Sequence, residues 1–188
     1  MKRNWLIALG VVILVVLLLV GMYNGLVKRD VAVTTAWSQV ENVLQRRADL
    51  IPNLVSSVKG YVKHEKEVLK NLADARTQYS AAKTTDEKIK AAGQMGDALS
   101  RLLVIVENYP NLKANETFNR LMDELAGTEN RIAVERKRYN EAVQDLNTTI
   151  RRIPYNFIAS VFGFKAKPFF EAEKEAKAVP KVDFGTEK

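Results

Sequence analysis

The sequence contains no cysteine, a single histidine, nine glycines and five prolines among its 188 residues. Without cysteine there is no disulfide, no thiolate nucleophile and no Cys-ligated zinc. The lipid-modified cysteine that anchors an exported lipoprotein is missing as well. The compartment stays open, because a disulfide-free domain is stable on either side of a membrane. His64 stands alone: a zinc-protease helix needs a second His four residues on, where this chain has Val68. No Gly-rich phosphate loop follows a strand pattern, and there is no Gly-x-Ser-x-Gly elbow. Carboxylate pairs such as Glu65/Glu67 and Glu171/Glu173 read as solvated helix charges. These absences leave no catalytic, cofactor-binding or metal-ligating residue to nominate. The expectation is a protein that is not an enzyme and has no small-molecule substrate.

Scarce glycine and proline favour long helices over strands and turns. Apolar residues make up 47% of the chain, enough for a core, and charged residues 27%. The net charge is +7; Lys2 and Arg3 supply two of these charges, and the other five are spread over mixed-sign faces. That balance reads as a solvated helical surface rather than a basic stripe for anionic lipid or nucleic acid. No nucleic-acid motif is present, and no nucleic-acid partner is expected.

Asn4 to Val27 carries no charge, and its core from Trp5 to Val20 is almost entirely Leu, Val and Ile. About 20 residues at ~1.5 Å each span a hydrocarbon layer of roughly 30 Å. Trp5 and Tyr23 lie near the two ends, where amphipathic rings suit the interface. The run exceeds the apolar region of a signal peptide, and Gly21-Met22-Tyr23-Asn24-Gly25 offers no Ala-x-Ala-like cleavage site. An uncleaved anchor, with the bilayer as partner of residues 4–27, is expected. Lys2 and Arg3 flank one end and Lys28 and Arg29 the other, so charge gives no orientation.

Beyond about Asp30 the spacing turns helical. Trp37, Val40, Leu44, Arg47, Ile51, Leu54, Val58, Tyr61, Glu65, Val68, Leu72, Ala75 and Tyr79 alternate steps of three and four. This coiled-coil-like seam predicts one long helix to about Ala82, kinked near Ala48–Pro52, with Gly60 a second soft point. Thr84 and Glu87 read as a capping box opening a second helix that buries Ile89, Ala92, Met95, Leu99, Leu102 and Val106. Tyr109-Pro110-Asn111 stops it. Gly93 and Gly96 either permit close helix approach or simply weaken this helix. A third helix from about Ala114 carries Phe118, Leu121, Leu125, Thr128, Ile132, Glu135, Tyr139, Ala142 and Leu146, with Ile150 and Ile153 extending the face to Pro154. Short connections make antiparallel neighbours the default. Arg47, Glu65 and Glu135 interrupt the stripes; they either snorkel or set helix register, Arg47 pairing with Glu129 or Glu135.

Six of the seven phenylalanines follow Pro154, which argues against a disordered tail. Asn156–Val161 reads as a short helix, and Glu171–Lys188 as a charged end that frays. The aromatics have two readings. They cap the bundle end, or Phe157, Ile158, Val161, Phe162, Phe164, Phe169 and Phe170, interleaved with Lys165 and Lys167, enter a bilayer surface.

Tyr23-Asn24-Gly25-Leu26-Val27, Ala36-Trp37 and Arg46-Arg47-Ala48-Asp49-Leu50-Ile51-Pro52-Asn53-Leu54-Val55 together resemble the LemA family of bacterial membrane proteins. Val58-Lys59-Gly60-Tyr61, His64-Glu65, Leu112–Glu116, Thr128–Ala133, Tyr139-Asn140 and the closing Pro180–Phe184 continue the resemblance over essentially the whole chain. It implies an N-terminal transmembrane helix and an antiparallel helical domain, and it implies no catalytic residues. One branch of that family is associated with building magnetosome membranes.

The expected fold is therefore all-α: a transmembrane helix followed by an elongated antiparallel bundle of long helices. The expected division is an anchor at 1–27, a helical domain at 28–154 and an aromatic-rich segment at 155–188. The expected function is a membrane-anchored scaffold of the bacterial inner membrane, self-associating or bound to another envelope protein; the alternative is a lipid-engaging, membrane-shaping protein. Contact residues are sought at Trp37, Arg46, Arg47, Asn53, Tyr61, Phe162, Phe164, Phe169 and Phe170.

Overall fold

The computed structural model describes residues 2–61 and 65–171. His64, Phe184 and the closing 180–184 signature lie outside the described residues. Among the described residues six helices follow in order: α1 Lys2–Lys59, α2 Lys66–Ala81, α3 Thr85–Val106, α4 Pro110–Lys113, α5 Glu116–Thr149 and α6 Tyr155–Phe162. There is no strand among the described residues. The chain divides into two compact units, Met1–Leu44 with Thr128–Phe169 and Gln45–Gly127 with Phe170–Lys188.

In the first unit, α1 carries the apolar N-terminal run. It is long and apolar enough to cross a membrane, and its apolar stretch is wholly exposed. A helix suits that solvent because it satisfies its own backbone groups. From Leu26 the same helix turns a face inward, burying Leu26, Val33, Trp37, Val40 and Leu44. The C-terminal half of α5 buries Thr128, Ile132, Tyr139, Val143 and Leu146. Arg29 reaches Asp145 at 3.0 Å, and Trp37 meets Tyr139 edge-on with centroids 5.3 Å apart. Residue numbers fall on α5 as they rise on α1, so the two run antiparallel here.

In the second unit, α1 buries Ala48, Ile51, Leu54 and Val58. The first helix does not continue to Ala82. It ends at Lys59, and the seam resumes in α2 with Leu69, Leu72, Ala75 and Tyr79 buried. Leu69 is buried where Val68 was expected, because α2 begins a new helical phase at Lys66. The second helix begins at its expected cap, where Thr84 and Glu87 form a complete capping box. Ala92, Met95, Leu99, Leu102 and Val106 are buried as expected, and Ile89 is only half-buried. Asn115 caps α5, its Oδ1 accepting from the Phe118 N–H at 3.0 Å. That helix stops at Thr149, earlier than expected, and Ile153 is exposed rather than extending the buried face.

Pro52 lies inside α1 without ending it. Proline has no N–H, so the carbonyl four residues back, on Ala48, loses its helical donor. Arg76 of α2 supplies one, its Nε donating to the Ala48 carbonyl at 3.3 Å. The proline thus creates an acceptor on α1 that only a neighbouring side chain can fill, and this pins α2 against it. Arg76→Met is expected to cost about 1.5–3 kcal/mol, the range for a hydrogen bond from a charged group. Pro52→Ala restores the intrahelical bond, so most of that cost should vanish in the double variant. A double-mutant cycle by chemical denaturation measures the coupling.

Two further expectations arise in α3. An added Cβ at Gly93 meets nothing within 4 Å, so this glycine serves no close approach. Gly93→Ala should stabilise the protein by about 0.5–1 kcal/mol, read as a raised denaturation midpoint. At the capping box, the backbone N–H groups of Lys83 (2.8 Å) and Thr84 (3.1 Å) both donate to Glu87 Oε2. These two bonds hold the Glu87 carboxyl below its ordinary range. Folded Glu87 therefore binds its proton less readily than unfolded Glu87. The contribution is complete above the unfolded value and disappears as pH falls through the folded one. The first turn of α3 should fray on acidification, and Glu87→Gln should abolish that pH dependence, as followed by amide exchange at Glu87 and Lys88.

Candidate functional site

The first unit gathers an aromatic site where α6 meets the end of the apolar run. The α6 sequence, Tyr-Asn-Phe-Ile-Ala-Ser-Val-Phe, carries no charge. Its Ile158 and Ala159 are buried with Leu26, and Met22, Ile150, Tyr155 and Phe164 pack around them. Tyr23 lies between two rings, Phe162 at 4.7 Å and Phe164 at 5.9 Å.

Gly163 ends α6 with φ of 77°, a left-handed geometry that a side chain would strain. The Phe164 N–H then returns to the Ala159 carbonyl at 2.9 Å. This bond turns the chain so that Phe164 folds under the helix.

The extended segment that follows is held by α5. Asn147, itself buried, clamps Lys167 through both backbone groups: Nδ2 donates to the Lys167 carbonyl and Oδ1 accepts the Lys167 N–H, each at 2.9 Å. The Tyr139 hydroxyl donates to the Pro168 carbonyl at 2.9 Å. Lys167 Nζ pairs with Asp30 at 3.0 Å.

The opposite face of α6 has no such cover. Phe157 is 66% exposed, Val161 79% and Phe162 60%. With Leu19, Val20 and Tyr23 of α1, these residues and Ile158 line an open groove of about 370 Å³ that has almost no polar surface. A groove of similar size between α2 and α3, in the second unit, is polar instead, with Glu67, Asp74, Asp97 and Arg101 on its walls.

The nominated contact residues scatter. Trp37 and Phe170 are buried. Arg46 is exposed and lies 3.9 Å from Glu124, a separation and exposure at which an ion pair contributes little. Arg47 is half-buried, and Asn53 is exposed. Glu135 bonds Arg138 in its own helix at 2.7 Å. The half-exposed Tyr61 hydroxyl accepts from Asn115 at 3.1 Å. Phe162 and Phe164 come together around Tyr23, and Phe169 is half-exposed.

Sequence reasoning missed Leu19, Val20 and Tyr23 as walls of the groove, because they read only as anchor. It missed Asn147, which no spacing marks. It missed Arg76 as well: Pro52 marks an Ala48 carbonyl without its helical donor, but nothing in the sequence says which residue supplies one.

A helical protein with one membrane-type N-terminal helix and an aromatic foot packed at its end is the class this architecture defines. The chain belongs to the LemA family, whose model matches residues 36–184. It is 29% identical over 184 residues to Magnetosome protein MamQ 2 of Paramagnetospirillum magneticum, covering 84% of this chain and 67% of that protein. It is 27% identical, with the same coverage, to Magnetosome protein MamQ of Magnetospirillum gryphiswaldense. Against Protein LemA of Metamycoplasma hominis the identity is 25%, over 89% of this chain and 75% of that protein.

Proposed function

We propose that this chain is a single-pass, non-catalytic scaffold of the bacterial inner membrane that binds a second copy of itself or another envelope protein. The observation that carries the reading is α1. The helix exposed along its apolar stretch continues unbroken to Lys59 and contributes core residues to both units. The same helix thus carries both the run suited to a bilayer and exposed side chains available to a partner.

Surface left for partners includes Arg46 and Asn53 on α1, and Leu103 and Val104, both exposed, on α3. A photo-reactive residue placed at Arg46, Asn53 or Val104 in intact cells should yield a discrete adduct at the mass of a dimer or of one other membrane protein. A strictly monomeric protein with no adduct at any of these positions defeats the scaffold reading.

The exposed Phe157, Val161 and Phe162 favour a second reading, in which the aromatic segment engages lipid and shapes the membrane. Purified protein that leaves the curvature and size of anionic vesicles unchanged counts against it.

A further inference from the structure

We propose that α6 is a foot that enters the same leaflet from which the anchor emerges, and that its groove against the anchor holds a phospholipid acyl chain. This deepens the lipid reading and rests on residues 4–27 crossing the bilayer.

The groove lies at a defined level along the anchor. The groove uses Leu19, Val20 and Tyr23, the last residues of a run with no charge until Lys28. At ~1.5 Å per residue, Leu19 lies roughly 14 Å below Lys28 along the helix. That depth places the groove at the boundary between acyl chains and headgroups, where Tyr23 is at home.

The second strand is chemistry. The lining is Leu, Val, Ile, Phe and one Tyr, and almost none of its surface is polar. Nothing there would orient a polar ligand, and an alkyl chain needs no orienting group. An amphipathic helix beside a bilayer buries its apolar face by roughly 5–10 Å into the headgroup boundary. The buried side of α6 is already taken by Leu26, so its exposed side is the one available to lipid.

The third is charge. Arg151 and Arg152 precede α6 and Lys165 follows it, all three exposed. Cations bracketing an apolar helix suit an anionic leaflet. Asn147 and Asp30 then acquire a role: by holding Lys167, they keep the end of the α6 segment on the protein while its apolar face looks outward.

The native chain has no cysteine, so a single introduced thiol can be labelled without background. Val161→Cys changes an exposed side chain and should not disturb folding, which circular dichroism checks. The full-length variant, labelled with bimane, is reconstituted in phosphatidylcholine–phosphatidylglycerol vesicles. Leu14→Cys in the anchor and Asn130→Cys on the exposed side of α5 serve as references. The label at 161 is expected to be several-fold less sensitive to aqueous iodide than the label at 130. Phospholipids carrying a spin label high on the acyl chain should quench it strongly.

Equal iodide sensitivity at 161 and 130 overturns the proposal. So does protection from iodide without quenching by lipid, because a second copy or the chain's own end would then cover the groove. The label at 14 separates the two levels of failure. If deep spin labels quench position 14 but 161 behaves as water-exposed, the anchor stands and the foot falls; if position 14 escapes quenching, the anchoring itself is wrong.

Discussion

Trp37→Ala should lower the stability of the protein by about 3–5 kcal/mol, the range for deleting a large buried aromatic side chain. Trp37 sits at 9% exposure between Val33 and Val40 on the inner face of α1. Its ring meets Tyr139 at 5.3 Å and 61°, an edge-on contact. Such pairs contribute about 0.5–1.5 kcal/mol beyond area. Removing the indole forfeits both the burial and the ring contact. Against a typical total of about 5–15 kcal/mol, the loss is a large share. Chemical denaturation of detergent-solubilised protein, followed by circular dichroism, gives the value. The same variant decides what Trp37 is for. Unchanged stability with lost crosslinks would make it a contact for a partner; a large loss of stability makes it a core residue.

Asn147→Leu is expected to cost about 2–4 kcal/mol, through two unpaired backbone groups at roughly 1–3 kcal/mol each. The amide of Asn147 is fixed in orientation by its partners: one end must accept from the Lys167 N–H and the other must donate to its carbonyl. Leucine offers neither. The upper limit is set by escape, since the segment can swing out and bond water instead. The expected outcome is therefore local: exchange of the Phe164 and Lys167 amides rises sharply, and the Tyr139–Pro168 and Lys167–Asp30 contacts are lost with it. Exchange rates elsewhere on α5 should change much less. Asn147→Asp tests the geometry separately. It keeps an acceptor for the N–H and sets a carboxylate oxygen against the Lys167 carbonyl, so it should also release the segment despite its near-identical shape. If neither variant raises exchange after Gly163, the clamp does not hold the segment.

The anchor, the helical class and the inward faces of α1, α3 and α5 were legible in the sequence because each depends on local patterning. An uncharged run from Asn4 to Val27 needs no tertiary information to be long and apolar enough to cross a bilayer, and the Thr84–Glu87 box marks a helix start on its own. The path of the chain between those helices was less legible. The heptad steps from Trp37 to Tyr79 fit one long helix and a hairpin equally well, because both keep the same face inward. The structure ends α1 at Lys59 and starts α2 at Lys66, and a glycine such as Gly60 inside a helical pattern does not by itself turn the chain. The α5 stripe was read one residue out at Ala142, where Val143 is the buried side chain. Periodicity fixes a face to within a residue, and packing chooses among neighbours.

The site divides the same way. Phenylalanine density after Pro154 marked the aromatic segment, and its composition left two uses open. Which rings turn inward depended on the left-handed turn at Gly163 and the Asn147 clamp, and those act through partners distant in sequence: Phe164 folds back on Tyr23, and Lys167 reaches Asp30.

By itself the sequence determined where the helices are, which of their faces avoid water and that one of them suits a bilayer, since solvent preference acts residue by residue. Only the tertiary structure decided that the first seam ends with α1 at Lys59 and resumes in α2, that Arg76 donates to the carbonyl Pro52 leaves without its helical donor, and that α6 rests on the last turns of the apolar run with Phe157 and Val161 outward. Those outcomes depend on hydrogen bonds and contacts between residues far apart in the chain, and no local pattern encodes them.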